Sequence, residues 1–282
     1  MIPAQFEYVR AGSIDEAVSA LSEDAKVLAG GQSLIPLMRL RLAYPEVLVD
    51  VSHVDEMRGI RDEGDRLVIG AATTHDEVLR DQSVRTHCPV IAEVTSTVAD
   101  PAVRHRGTFG GSIAHADPAG DLPALALALD ATMTIAGRGG RREVPAAEFF
   151  VDYLQTAVAP EEVLVSVSMP KLGEGWGHRY EKFNRSAQAW AMVGAVAVLQ
   201  RSNGTIGSAR IGLVNVGSTP VRAVAVEAAL AGADATPEAV AAAAEAATEG
   251  LNPTTDIHAS SDYRAHLAQV LTRRAVVAAA GM

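Results

Sequence analysis

The sequence predicts a two-part α+β chain, on three observations. The first part alternates short helical and strand patterns in a mixed α/β order. The second opens with β-patterned runs and closes on alanine-rich helical stretches. Between them stands Lys171-Leu172-Gly173-Glu174-Gly175-Trp176-Gly177, polar and rich in glycine, the natural place for a boundary. With 282 residues and 48% hydrophobic content, the chain can bury two modest cores. Domains are expected over 1–172 and over 177–282.

Each element has a local cause. Ser13-Ile14-Asp15-Glu16 is a capping box ahead of Ala17, Val18 and Leu21, so a helix starts there and ends near Glu23. A strand follows over 26–29. Leu34, Leu37, Met38 and Arg41 then recur at helical spacing until Tyr44-Pro45 stops the helix. Residues 47–51 and 67–71 read as buried strands, and Thr74-His75-Asp76-Glu77 is a second capping box. The apolar run over 122–129 fits a buried helix. After it, 132–136 and 142–144 flank a glycine-rich turn, and 163–169 alternates as a strand until Pro170.

In the second part, 180–184, 193–200 and 206–216 read as strands, with Ser202-Asn203-Gly204-Thr205 as a tight hairpin turn. Helices are expected over 221–230, 237–248 and 261–279, the second capped by Thr236 with Pro237 in its first position. The simplest arrangement is a three-stranded antiparallel sheet with helices on one face.

Composition removes several functions. The formal charge is −10 and no Lys/Arg block stands out, against a nucleic-acid or anionic-membrane partner. The single cysteine, Cys88, has no internal disulfide partner, and no CxxC pair or Cys/His cluster offers a metal site. No apolar span is long enough for a bilayer and the N-terminus has no signal pattern, so a cytoplasmic location is expected. Gly31-Gln32-Ser33-Leu34-Ile35 lacks the second glycine of a nucleophile elbow, and Ser168-Met169-Pro170-Lys171 places S-x-x-K at a strand end. His105 and His115 have no metal-ligand spacing. A hydrolase or metalloenzyme is disfavoured.

Two glycine loops remain. Ala29-Gly30-Gly31-Gln32-Ser33 lies between a predicted strand and a predicted helix, where glycine lets backbone N–H groups turn toward an anion. An ordinary tight turn with Ser33 as N-cap explains the same residues. Arg106-Gly107-Thr108-Phe109-Gly110-Gly111-Ser112 repeats the pattern and leads into Asp117-Pro118-Ala119-Gly120-Asp121. Two such loops suggest a diphosphate ligand, although neither is a Rossmann fingerprint or a P-loop. Asp121 suits either a ribose hydroxyl or the N-cap of the helix at Leu122.

These stretches, "AGGQSLIPLMRLRL", "DPAVRHRGTFGGSIAHADPAGDLPA" and "YEKFNRSAQAWA", in that order, resemble the FAD-binding medium subunit of the molybdenum hydroxylases, the family of carbon monoxide dehydrogenase and xanthine dehydrogenase. The likeness runs over nearly the whole chain. It implies a two-subdomain α/β FAD-binding domain of the PCMH, or vanillyl-alcohol-oxidase, type, with subdomains over about 1–52 and 53–172, followed by a smaller α+β domain. It implies further that the backbone of Ala29, Gly30, Gly31, Gln32 and Ser33 holds the FAD pyrophosphate together with Thr108, Phe109, Gly110, Gly111 and Ser112. Asp121 and Leu164 match cofactor-contacting positions, Lys182 a lysine reaching toward the flavin, and Trp190 an aromatic against its ring. A cation near the flavin stabilises its reduced anionic form.

Two departures stand out. Relatives commonly carry an aliphatic residue where Phe109 lies and asparagine at Ser112, so a side-chain amide is replaced by a shorter hydroxyl. Gln32 takes a place often held by histidine. The resemblance implies a large molybdopterin subunit and a small [2Fe-2S] subunit as partners, in a dimer of heterotrimers, with electrons passing through FAD to an external acceptor. The alternatives are a stand-alone flavoprotein oxidoreductase and a non-catalytic FAD-binding assembly module.

Overall fold

The computed structural model describes residues 2–282. The chain begins with β1 (Glu7–Arg10), α1 (Ile14–Ala20), β2 (Ala25–Leu28), α2 (Leu34–Arg39) and β3 (Val47–Asp50), whose strands form a parallel sheet in the order β1-β3-β2. Ser13 caps α1 by accepting the Glu16 N–H at 3.2 Å, as the sequence signalled. Glu16 reaches back to the N–H of Gly12 rather than that of Ser13, so the box is half closed. α2 stops at Arg39, before the expected Tyr44. Leu42 N–H bonds the Leu37 carbonyl at 2.9 Å and Arg41 N–H that of Met38 at 3.1 Å, while Arg41 takes φ 61°. That is a Schellman ending with arginine in the left-handed position usually given to glycine.

The second unit continues with β4 (Ile60–Glu63), β5 (Arg66–Gly70), α3 (His75–Arg80), α4 (Gln82–His87), α5 (Pro89–Ser96), α6 (Pro101–Arg104), α7 (Phe109–His115) and α8 (Asp121–Ala128). Then come β6 (Thr132–Gly137), β7 (Gly140–Pro145), α9 (Ala146–Phe149), β8 (Phe150–Asp152), β9 (Gln155–Thr156) and β10 (Val163–Pro170). An antiparallel sheet runs β4-β5-β10-β6-β7, with β8 and β9 as a separate small hairpin. The capping box at Thr74 is complete: its hydroxyl accepts the Glu77 N–H at 3.2 Å, and Glu77 accepts the Thr74 N–H at 2.8 Å.

The last part holds β11 (Trp176–Phe183), β12 (Val193–Ser202), β13 (Thr205–Val214), β14 (Val221–Arg222), α10 (Val224–Leu230), α11 (Pro237–Ala244) and α12 (Ser261–Ala279). Asn203 (φ 51°) and Gly204 (φ 82°) make the expected tight turn between β12 and β13. The sheet has a fourth strand, because Val221 and Arg222 pair with β13 before α10 begins.

This sheet is covered on both faces, not on one as expected. Val196 and Val198 of β12 point into the core built with α5 and α8, while Val193, Ala195, Ala197 and Leu199 point into the core beneath α12. Glycine marks the tight crossings. A Cβ on Gly212 of β13 would lie 2.3 Å from the Ala124 carbonyl of α8, and one on Gly177 would lie 1.9 Å from the Ala279 carbonyl of α12. Trp176 and Gly177 pair with Gln200 and Leu199 of β12 and so are strand residues, and the connection from β10 narrows to 171–175.

Candidate functional site

The site begins where the two glycine loops touch. A Cβ on Gly30 would lie 2.1 Å from the Arg106 carbonyl and 2.7 Å from Gly107 Cα, so that glycine is required by the other loop's backbone rather than by a ligand. Gly31 sits at φ 71°, the left-handed region, and Gly110 packs on Ala71 of the β5 end, where a Cβ would approach to 2.4 Å. The bends lie side by side at one cavity of about 810 Å³, within the range of cofactor pockets.

Their backbones differ in what they offer. Gly30, Gly31, Gln32, Ser33 and Leu34 have no acceptor for their N–H groups among the described residues, and Ser33 makes no side-chain cap. Five consecutive donors thus lie unengaged in residues that line the cavity. In the second loop the donors are already engaged: Phe109 N–H to Thr73 O (2.9 Å), Gly110 to Ala71 O (3.0 Å), Gly111 to the Thr108 hydroxyl (3.1 Å) and Ser112 to Thr108 O (3.1 Å). This loop presents the Thr108 and Ser112 hydroxyls instead. Phe109 is fully buried in the core and does not line the cavity.

Of the other expected residues, Asp121, Leu164, Lys182 and Trp190 all line the same cavity. Asp121 does not cap α8; Gly120 holds that position. The carboxylate turns instead to β11, where it accepts from Tyr180 Oη at 2.5 Å and from Lys182 Nζ at 2.8 Å. Lys182 Nζ also donates to the Thr97 carbonyl at 3.0 Å. Side-chain exposure is only 8% for Lys182 and 5% for Asp121, so the ion pair is buried. Burial raises the Asp121 pKa, while Lys182, Tyr180 and Thr97 pull it back. Burial and then the Asp121 charge push the Tyr180 phenol well above 10. Trp190, 56% exposed, stands on the rim rather than filling core.

Sequence reading alone passed over Tyr180 and His75. Tyr180 was legible as the residue two before Lys182 on a strand, hence on the same face. His75 follows the Thr74 cap, lines the cavity, and has a buried Nδ1 with no partner. Burial, with the Arg104 charge, lowers its pKa to about 4, so the ring is neutral.

Residues 4–172 match the family described as FAD binding domain in molybdopterin dehydrogenase, and residues 178–279 the CO dehydrogenase flavoprotein C-terminal domain. The chain is 42% identical over 282 residues to the carbon monoxide dehydrogenase medium chain of Hydrogenophaga pseudoflava, covering 99% of this chain and 98% of that one. It is 36% identical over 283 residues to the 6-hydroxypseudooxynicotine dehydrogenase complex subunit alpha of Paenarthrobacter nicotinovorans, covering 99% and 96%. A solved structure of the Hydrogenophaga carbon monoxide dehydrogenase superposes with a TM-score of 0.97 at 44% identity, over 99% of this chain and 98% of that one.

Proposed function

The chain belongs to the FAD-binding medium subunits of the molybdenum hydroxylases, and we propose from its own geometry how it carries electrons in such an enzyme. It is the flavoprotein component of a molybdenum-containing dehydrogenase, accepting electrons from [2Fe-2S] clusters of a partner subunit and passing them to an external acceptor. The molybdopterin centre and the clusters belong to a large and a small partner subunit, in a dimer of heterotrimers in the cytoplasm. The division of the chain at 172 and 177 separates the FAD-binding part from the C-terminal part.

One observation supports the reading above others: residues 30–34, whose five N–H groups have no acceptor among the described residues, line the same cavity as the Lys182–Asp121 pair. These donors suit the pyrophosphate of FAD, with Thr108 and Ser112 adding hydroxyls from the second loop. Leu164 supplies apolar wall and Trp190 an aromatic lip. Bound FAD supplies a centre able to exchange electrons singly with clusters and in pairs with an acceptor. Lys182, held by Asp121 in the cavity wall, would supply positive charge to offset the negative charge that a reduced flavin gains.

Relatives bear the names of enzymes acting on carbon monoxide and on a nicotine derivative, at similar identity to this chain. We therefore place the choice of substrate in the large subunit. The test is purification of the chain with FAD: a flavin absorbance band in near one-to-one ratio is expected, and a colourless protein with no FAD affinity overturns the reading. Ser112→Ala sharpens it. Ser112 Oγ has no protein partner among the described residues, so its loss should weaken FAD binding about fivefold, the worth of one hydrogen bond near 1 kcal/mol, without lowering apoprotein stability.

A further inference from the structure

Two of the three side chains in the buried cluster face the cavity; the third, Tyr180, does not. A buried phenol on a strand usually fills core and bonds whatever is near. Here the surroundings are arranged for the hydroxyl. Tyr180 and Lys182 stand two residues apart on one face of β11 and reach the two oxygens of the same carboxylate, Asp121 Oδ1 at 2.5 Å and Oδ2 at 2.8 Å. Across the sheet, Lys182 pairs with Gly194 of β12. A Cβ on Gly194 would lie 2.7 Å from Tyr180 Oη and 3.2 Å from two ring carbons, so the missing side chain makes the seat of the phenol.

We propose that Tyr180 is a positioning residue of the flavin site: its hydroxyl fixes the Asp121 carboxylate, which in turn fixes the Lys182 ammonium in the cavity wall, and through that ammonium Tyr180 sets flavin affinity and reduction potential. The inference rests on the FAD reading above and extends it to a side chain that never meets the cofactor. The physical reason is orientation. A carboxylate held at one oxygen only can swing about its Cβ–Cγ bond and draw the ammonium away from its other partner, the Thr97 carbonyl; held at both, it keeps Lys182 on the two acceptors at once. The phenol is a suitable second holder because it stays protonated and adds no charge, leaving the lysine–aspartate pair balanced.

Tyr180→Phe removes the hydroxyl and little volume. In the full-length chain reconstituted with FAD, and in the assembled enzyme, we expect FAD affinity to fall about tenfold and the flavin potential to shift downward, by less than the downward shift expected when Lys182→Met removes the ammonium itself. In the Lys182→Met background the same substitution should then leave the potential unmoved, since nothing remains for it to position. The proposal is overturned if Tyr180→Phe lowers only thermal stability with affinity and potential intact, or if its shift adds in full to that of Lys182→Met. If Tyr180→Phe does not fold, Gly194→Ala displaces the phenol from the opposite side. The same affinity and potential shifts are expected, and their absence overturns the proposal equally. Failure of the wild-type chain to take up FAD at all would instead strike the underlying reading.

Discussion

At the scale of single residues, His75 makes pH a probe of the site. Its imidazole is buried and held near pKa 4, chiefly by burial and secondly by Arg104, whereas in the unfolded chain it titrates near its ordinary 6.5. Between those values the unfolded state binds the extra proton, so stability is complete above 6.5 and is lost as pH falls toward 4. At pH 5 the loss should be about 2 kcal/mol. Denaturant midpoints at pH 7.5 and 5 measure it, and His75→Gln should remove that share of the difference; equal pH sensitivity in both proteins would refute the assignment. The glycines teach another lesson at this scale. Gly30 and Gly31 were legible as special, but the sequence does not say what each one meets. Gly30 meets a carbonyl of the other loop, and only Gly31 uses a left-handed φ.

At the scale of elements, local signals did well where the cause is local. Ser13, Thr74 and Thr236 cap helices, and Asn203-Gly204 turns a hairpin. Thr74 is the most consequential, because α3 carries His75 into the cavity wall and Thr74 also bridges to Thr108 of the second loop. Thr74→Ala should cost about 1 kcal/mol of stability, read from chemical unfolding, and should weaken FAD binding as well. Full retention of both would show that Glu77 and the neighbouring loop hold the turn unaided. Element ends fared less well. α2 stops early because its C-terminal carbonyls are satisfied by the backbone turn at Arg41, and no glycine advertises that turn. Val221 and Arg222 become a strand because the edge of β13 is there to pair with.

At the scale of the molecule, the two cores share one sheet. β12 gives alternate residues to each, and α8 crosses β13 closely enough to need Gly212. Lys182 and Trp190 come from the C-terminal part and Asp121 and the glycine loops from the first, so the candidate site's cavity is lined by both. The chain should therefore unfold in one cooperative transition, with FAD stabilising all of it. At a hundredfold excess over Kd the gain is about 2.7 kcal/mol. Calorimetry with and without FAD checks this: two separate transitions, only one of them moved by FAD, would contradict the shared architecture.

Taken alone, the sequence determined the class of the fold, most helix caps and hairpin turns, and two glycine loops of a kind able to hold a diphosphate. Those properties depend on neighbours a few positions apart, which the chain states directly. The tertiary structure decided which N–H groups remain free for an anion, that Asp121 faces Lys182 and Tyr180 rather than capping its own helix, and that the last sheet is buried on both sides. Each of these depends in part on groups far off in the chain, as the 61 positions separating Asp121 from Lys182 illustrate. Whether a donor is satisfied, a carboxylate paired or a strand face covered is settled only when such distant groups arrive.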